Sequence, residues 1–147
     1  MMTNQRLDEL ACKFFKLFTQ YESSLKEIGY FRSDRHNQPE ADWDKFANEK
    51  IGSDFLQKLE NKSELAMYIL ENPPMRQVVE NGQIVWQEVS NNEKSVQVLF
   101  GHIRRIRNNL HHGAKFNATW FDPERSQKRI SNALAILTHF KSTIERH

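Results

Sequence analysis

The sequence predicts an all-α fold: a bundle of about four main helices with a small β-hairpin inserted at about residues 76–88. Apolar residues recur at helical spacing along most of the chain, and only one Asn-Gly pair lies between two short apolar runs. The 147 residues also match the length of one compact domain. We therefore expect a single domain covering residues 1–147.

The first half of the chain predicts one long helix followed by shorter ones. The long helix ends near Gly29, and its apolar residues share one face: Leu7, Leu10, Phe14, Leu17, Phe18, Tyr21, Leu25 and Ile28. A polar stretch from Arg32 to Gln38 follows. Pro39 then precedes a short helix that carries Trp43 and Phe46 and stops around Gly52. The apolar residues between Phe55 and Leu70 indicate one further helix or two short ones, ended by Pro73-Pro74.

The second half predicts the hairpin and two long helices. Two short strands flank the Asn81-Gly82 turn between Val78 and Trp86, because this dipeptide accepts positive φ at both positions. Asn91 or Asn92 is the expected cap of a helix from about Glu93 to His112, which Gly113 ends. The last helix is expected to start at Asp122-Pro123 and to bury Ile130, Ala133, Leu134, Leu137, Phe140 and Ile144.

Composition excludes several classes of protein. Cys12 is the only cysteine, so an internal disulfide is impossible and a reducing compartment, the cytoplasm, is expected. Lys13 and Lys16 interrupt the apolar stretch near the N-terminus, which argues against a secretory signal. We expect a soluble protein with no membrane partner, because no apolar run reaches the roughly 20 residues of a membrane span. With no His-x-x-x-His spacing, no metal site or cofactor is predicted.

Positive charge is concentrated late in the chain. No Asp or Glu occurs between Glu93 and Asp122, whereas Lys94, Arg104, Arg105, Arg107 and Lys115 supply five positive charges there. The whole chain has a formal net charge of +2, so the rest of it carries −3. A local excess of this kind attracts polyanions, which makes a phosphate-bearing partner the first candidate.

Arg107 falls on the apolar face of its predicted helix, with Val96, Phe100, Ile103 and Leu110 within roughly 60° of it. A buried guanidinium needs a carboxylate, a second subunit or a phosphate to satisfy it. One interpretation is a solvated basic face, with His111 and His112 placed favourably at the helix C-terminus. The other is that Arg107 holds a phosphate while a neighbouring histidine transfers a proton. Spacing alone does not choose between the two histidines.

The string Arg107-Asn108-Asn109-Leu110-His111-His112-Gly113 resembles the signature of the HEPN superfamily (higher eukaryotes and prokaryotes nucleotide-binding domain). That signature is an arginine, usually followed by a polar residue, and then a histidine a few positions later. Its place late on the penultimate long helix, followed by Gly113 and a final amphipathic helix, extends the resemblance over the predicted bundle. The chain is most similar to small stand-alone prokaryotic members.

The resemblance implies a metal-independent endoribonuclease that acts as a homodimer, with two motifs facing each other across a cleft. By position, Arg107 and His112 would be the catalytic residues, and Asn108 and His111 would support them. Arg104 and Lys115 are the candidate substrate-binding cations for RNA. Attack by the ribose 2′-hydroxyl would give a 2′,3′-cyclic phosphate and a 5′-hydroxyl, and no cofactor is implied.

The resemblance also implies a biological setting, a toxin or defence effector neutralised by an antitoxin protein. Two alternatives stay open at this point. One is a non-catalytic HEPN dimer that binds nucleic acid or nucleotide or serves as an interaction scaffold. The other is a generic helical protein whose basic helix lies in solvent, which would bind RNA weakly and remain monomeric.

Overall fold

Helices dominate the computed structural model, which describes residues 4–112, 115–116, 119–120 and 123–145, without the side chains at positions 111–122. The α-helices are α1 (Asn4–Glu27), α2 (Trp43–Phe46), α3 (Phe55–Leu59), α4 (Ser63–Glu71), α5 (Val96–His112) and α6 (Pro123–His139). A mostly helical chain with a small inserted hairpin confirms the predicted all-α class. None of the described helices is both long and apolar enough to cross a bilayer.

Helix α1 forms the predicted long amphipathic element. Its fully buried side chains are Leu7, Phe14, Phe18, Tyr21 and Leu25, which follow one another at intervals of three, four or seven residues. The helix ends at Glu27, and the next turn closes with hydrogen bonds from Gly29 N to Lys26 O (3.4 Å) and from Tyr30 N to Leu25 O (2.8 Å). Gly29 adopts φ +102°, so the predicted stop at this glycine is confirmed.

The core lies where α1, α2, α5 and α6 meet, and aromatic rings fill much of it. Trp43 of α2 stacks on Phe18 of α1 at a centroid distance of 4.9 Å and on Phe100 of α5 at 6.1 Å. Its indole Nε1 donates to Glu22 Oε2 (3.1 Å), which satisfies the polar edge of a ring that is only 1% exposed. Between α1 and α6, the Tyr21 hydroxyl donates to the Leu137 carbonyl. The first and last helices are therefore joined directly.

The segment from Phe55 to Leu70 forms two helices rather than one, because a 3₁₀ turn at Glu60–Lys62 separates α3 from α4. Before it, α2 continues into a π-helical turn (Ala47–Ile51). This turn ends at Gly52, with φ +91°, as predicted. At the end of the chain, α6 begins at Pro123, whereas its predicted cap Asp122 lies outside the described residues.

Two details of the predicted last helix are corrected. Ile144 is buried, but it lies in a separate 3₁₀ turn (Lys141–Ile144) that follows Phe140. Leu134 is only half-buried and packs at the margin of the core. The other apolar residues predicted for this stretch, Ile130, Ala133, Leu137 and Phe140, are buried.

The inserted hairpin is formed by β3 (Arg76–Glu80) and β4 (Gln83–Gln87), which pair antiparallel with Val79 opposite Ile84. Asn81 and Gly82 have φ +53° and +74°, so the predicted Asn-Gly turn is confirmed. Two shorter antiparallel pairs occur elsewhere. They are β1 (Phe31–Ser33) with β2 (Pro39–Ala41), and β5 (Lys115–Phe116) with β6 (Thr119–Trp120).

The polar stretch that the sequence predicted from Arg32 to Gln38 forms the end of β1 and the turn that joins β1 to β2. Asp34 explains the turn, because its Oδ1 accepts hydrogen bonds from His36 N (2.7 Å) and Gln38 N (2.9 Å). Asn37 takes the left-handed conformation at φ +60°. Side-chain hydrogen bonds close this turn. No alternation of apolar and polar residues therefore marks the strand pair in the sequence.

The predicted start of α5 was wrong. Asn91 does accept a hydrogen bond, from Glu93 N (2.9 Å), but this bond closes a local turn before the helix. Ser95 is the cap: its Oγ accepts from Val98 N (3.2 Å), and α5 begins at Val96. The helix reaches His112 as predicted, while Gly113, the predicted stop, lies outside the described residues.

Candidate functional site

Helix α5 carries the candidate motif and is fixed in the bundle by one buried stripe. The buried apolar residues of this helix are Val96, Leu99, Phe100, Ile103 and Ile106. They recur at three- and four-residue intervals, so they hold the helix against α1, α2, α4 and α6. The motif follows on the last turns, where the side chains pass from core to surface.

Arg107 is half-buried and lies against two aromatic rings of α1. Its guanidinium carbon is 5.1 Å from the centroid of the Phe15 ring and 5.6 Å from that of Phe18. This agrees with its predicted place on the apolar side of α5. Cation–π attraction and the apolar stem of arginine make such a position tolerable, although they supply no hydrogen bonds.

The hydrogen-bonding capacity of Arg107 is largely unused. Its Nη1 donates to Asn108 Oδ1 at 3.3 Å, a long bond to a neighbouring surface residue. Its Nε is buried and has no hydrogen-bond partner. No described carboxylate lies within ion-pair distance of this guanidinium. The result is a cation held in a fixed position without a described carboxylate to neutralise it, a group that attracts phosphate oxygens.

His111 and His112 are the last two residues of α5. Their side chains lie outside the described part of the chain. Which of the two histidines faces the Arg107 guanidinium therefore stays open, as it does from the sequence. At about 1.5 Å per residue, their Cα atoms are about 6 and 7.5 Å further along the axis than that of Arg107. On the helical wheel His111 lies about 40° from Arg107, whereas His112 lies about 140° from it.

The other predicted site residues are distributed around Arg107. Asn108 is exposed and contacts the Arg107 guanidinium through the hydrogen bond described above. Arg104 has a side chain that is 35% exposed, and its Nη1 lies 3.9 Å from Asp44 Oδ1 of α2, a weak ion pair. The backbone of Lys115 belongs to β5, while its side chain is outside the described residues. The described residues therefore bring Arg107 and Asn108 into contact and direct Arg104 toward α2.

The sequence did not reveal the ring partners of Arg107. Phe18 belongs to the buried stripe of α1, but Phe15 lies beside that stripe and is 36% exposed. A large aromatic residue just outside an apolar face is a weak signal by itself. The role of Phe15 is recognised only in the folded structure, where the Arg107 guanidinium from α5 lies over its ring.

His102 is excluded from proton transfer near neutral pH. It is only 3% exposed, and its Nε2 has no hydrogen-bond partner. Burial, followed by the positive charges of Arg105 and Arg129, lowers the pKa of His102 from its ordinary value of 6.5 to about 4. The imidazole is therefore neutral at pH 7, and the acid–base candidates remain His111 and His112.

Among the described residues, no three His, Cys, Asp or Glu side chains converge on a point where a metal ion could be held. Comparisons with protein-family models, with curated proteins and with solved structures give no match for this chain.

Proposed function

We propose that this protein is a HEPN-like, metal-independent endoribonuclease that acts as a homodimer. The observation that carries the proposal is the state of Arg107: a guanidinium on aromatic rings, with a buried Nε lacking a hydrogen-bond partner and no described carboxylate to neutralise it. Keeping such a group is costly unless a ligand uses it. A phosphate is the ligand whose oxygens match its planar fork of donors.

The reaction needs two proton transfers and one stabilised phosphorane. The ribose 2′-oxygen attacks phosphorus and gives its proton to a base. The bond from phosphorus to the 5′-oxygen then breaks, and an acid protonates that oxygen. His112 takes the base or acid role, while Arg107 stabilises the charge that grows on the non-bridging oxygens. The products are a 2′,3′-cyclic phosphate and a 5′-hydroxyl.

A second copy of the chain supplies the facing motif. Phe15 supports this part of the proposal, because its partly exposed ring lies directly beneath the Arg107 guanidinium. A partner packed on that surface would cover the ring and bring a second arginine–histidine pair to the same cleft. Asn108 and His111 would line the cleft, and Lys115 and Arg104 would contact RNA beyond it. A neutralising antitoxin protein would bind over this opening.

Incubation of purified protein with RNA in excess chelator tests the proposal. The wild type is expected to cleave and to leave cyclic-phosphate ends, whereas Arg107→Ala and His112→Ala abolish cleavage with the fold intact. Lys50→Ala is the control, since Lys50 is exposed in the π-helical turn after α2 and is not part of the motif. Equal activity in all four proteins would contradict the catalytic roles. Binding of RNA without cleavage would indicate the non-catalytic HEPN dimer instead.

The dimer has its own test. Phe15→Glu places a charge on the proposed contact surface and is expected to convert the protein to a monomer with reduced cleavage. Phe31→Glu is the matched control, because Phe31 is 53% exposed in β1, on another element. Light scattering coupled to size-exclusion chromatography reads the mass. A wild-type monomer, or a Phe15→Glu variant that stays dimeric, contradicts the proposed interface.

A further inference from the structure

A second cationic cluster lies on the opposite side of α5 from Arg107. We call it the Arg105 cluster, and it consists of Arg76, Arg105 and Arg129 together with His102 and Asn109. On the helical wheel Arg105 is about 160° from Arg107, whereas His102, Arg105 and Asn109 fall within about 60° of one another. A phosphate held by Arg107 therefore cannot also reach Arg105.

Arg105 is a cationic member of the cluster with an unsatisfied donor. Its Nη1 is buried and has no hydrogen-bond partner. No described carboxylate forms an ion pair with it. A guanidinium donor withdrawn from water without a partner carries a desolvation cost of about 1–3 kcal/mol or more. A small movement of the Arg105 side chain that brings Nη1 to an incoming oxygen atom would remove that cost.

Side chains of two helices hydrogen-bond the backbone of the segment from Asn72 to Arg76 and hold it near Arg105. From α6, Arg129 donates through Nε to Asn72 O (3.3 Å) and through Nη2 to Pro73 O (3.2 Å). From α5, Asn109 Nδ2 donates to Met75 O (2.7 Å). These bonds hold the start of β3 against α5, and they preorganise the cluster.

Arg76 brings a further positive charge that its own partner does not neutralise. Its Nε and Nη2 both donate to Gln87 Oε1, at 3.0 and 2.8 Å, across the β3–β4 pair. The amide of Gln87 orients the guanidinium but carries no charge. Arg76 also contributes to lowering the pKa of Arg105, after burial, and Arg105 does the same to His102. The positive charges are thus close enough to repel one another.

We propose that the Arg105 cluster is a phosphate-binding site, distinct from the Arg107 site and independent of the proposed dimer and cleavage. A tetrahedral phosphate oxyanion accepts from several donors at once, and it would satisfy the buried Arg105 Nη1 while neutralising the repulsion between Arg105 and Arg76. The phosphate belongs either to a nucleic-acid backbone or to a free phosphate compound, since both present the same oxygens.

Titration with inorganic phosphate, followed by ¹H–¹⁵N NMR, tests the site. We expect saturable shifts of the Arg105 Nε and Asn109 Nδ2 signals, with affinity about tenfold or more weaker in Arg105→Gln and largely restored in Arg105→Lys. Arg76→Gln is the second variant. It lies at the exposed start of β3, so it removes charge without disturbing the core, and it too is expected to weaken binding.

Two controls separate this proposal from the proposed function. Arg107→Gln should leave phosphate binding at the Arg105 cluster unchanged even though it abolishes RNA cleavage. Lys50→Gln removes the same charge at an exposed position outside both sites and should change neither property. Absence of saturation in the wild type, or equal affinity in Arg105→Gln, Arg76→Gln and Lys50→Gln, overturns the proposal.

A short single-stranded RNA with 2′-O-methyl groups identifies the source of the phosphate, because it cannot undergo 2′-hydroxyl attack. If Arg105→Gln weakens both RNA and inorganic phosphate, the ligand is a nucleic-acid backbone. If it weakens inorganic phosphate alone, the ligand is a free phosphate compound. Either result supports the site.

Discussion

Replacement of Arg107 by methionine should abolish RNA cleavage at almost no cost in stability. Methionine keeps a flexible apolar stem over the Phe15 and Phe18 rings, and it removes the charge and all donors. The variant therefore separates a residue kept for ligand binding from one kept for folding.

Two opposing contributions set the stability change in Arg107→Met. Two cation–π contacts are lost, each worth about 0.5–1 kcal/mol at a half-buried site, which gives a loss of about 1–2 kcal/mol. The buried Nε without a partner disappears as well, and this returns about 1–3 kcal/mol. The two contributions nearly cancel, so the free energy of unfolding should stay within about 1 kcal/mol of the wild-type value.

Urea denaturation followed by circular dichroism measures this difference, with all proteins at one concentration because a dimer is stabilised by mass action. For a chain of this size, about 1 kcal/mol corresponds to a shift in Tm of about 2–4 °C. Lys16→Met is the matched control, since it removes one exposed charge from α1. Phe14→Ala, at a fully buried position, is the destabilised reference, and it should lower the free energy of unfolding by about 3–5 kcal/mol.

A loss of more than about 3 kcal/mol in Arg107→Met would refute the reasoning, because the guanidinium would then be a structural group whose contacts outweigh its burial. Retained RNA cleavage in a folded Arg107→Met protein would equally remove its assigned role.

Two further predictions concern stability. Folding lowers the pKa of His102 to about 4, so the unfolded chain binds the proton more tightly than the folded one. The free energy of unfolding should therefore fall by on the order of 2–3 kcal/mol as pH drops from about 6.5 to about 4. In His102→Leu this pH dependence of stability should disappear. Gly101→Ala in α5 should stabilise the protein by about 0.5–1 kcal/mol, since nothing lies within 4 Å of the added Cβ, whereas Gly82→Ala at φ +74° should destabilise it by about 1 kcal/mol. A destabilised Gly101→Ala or a stabilised Gly82→Ala protein in thermal denaturation would contradict the prediction for the glycines, and a flat pH profile in the wild type would contradict the prediction for His102.

Elements with strong local patterns were predictable from the sequence. The spacing of Leu7, Phe14, Phe18, Tyr21 and Leu25 on α1 and the Asn81-Gly82 turn each depend on neighbours close in the chain. The start of α5 was missed because Asn91 and Ser95 both suit a cap, and only the backbone shows which one caps the helix. Short-range chemistry identifies candidates, but the packing of the chain selects among them.

The candidate site was predictable only in part, for the same reason. The position of Arg107 on the apolar side of α5 follows from helical geometry. Its contacts with Phe15 and Phe18 do not, since they depend on how α1 and α5 pack across about 90 residues of chain. The Arg105 cluster was missed because its members come from β3, α5 and α6, and no local pattern connects these elements.

The direct pairing of α1 with α6 bears on how the protein is made. The Tyr21 hydroxyl of the first helix donates to the Leu137 carbonyl, which is synthesised 116 residues later. Until α6 is made, the surface of the nascent chain that α6 covers stays exposed, and chaperones or temporary contacts shield it. Premature termination ahead of α6 would therefore yield an aggregation-prone fragment rather than a smaller working protein.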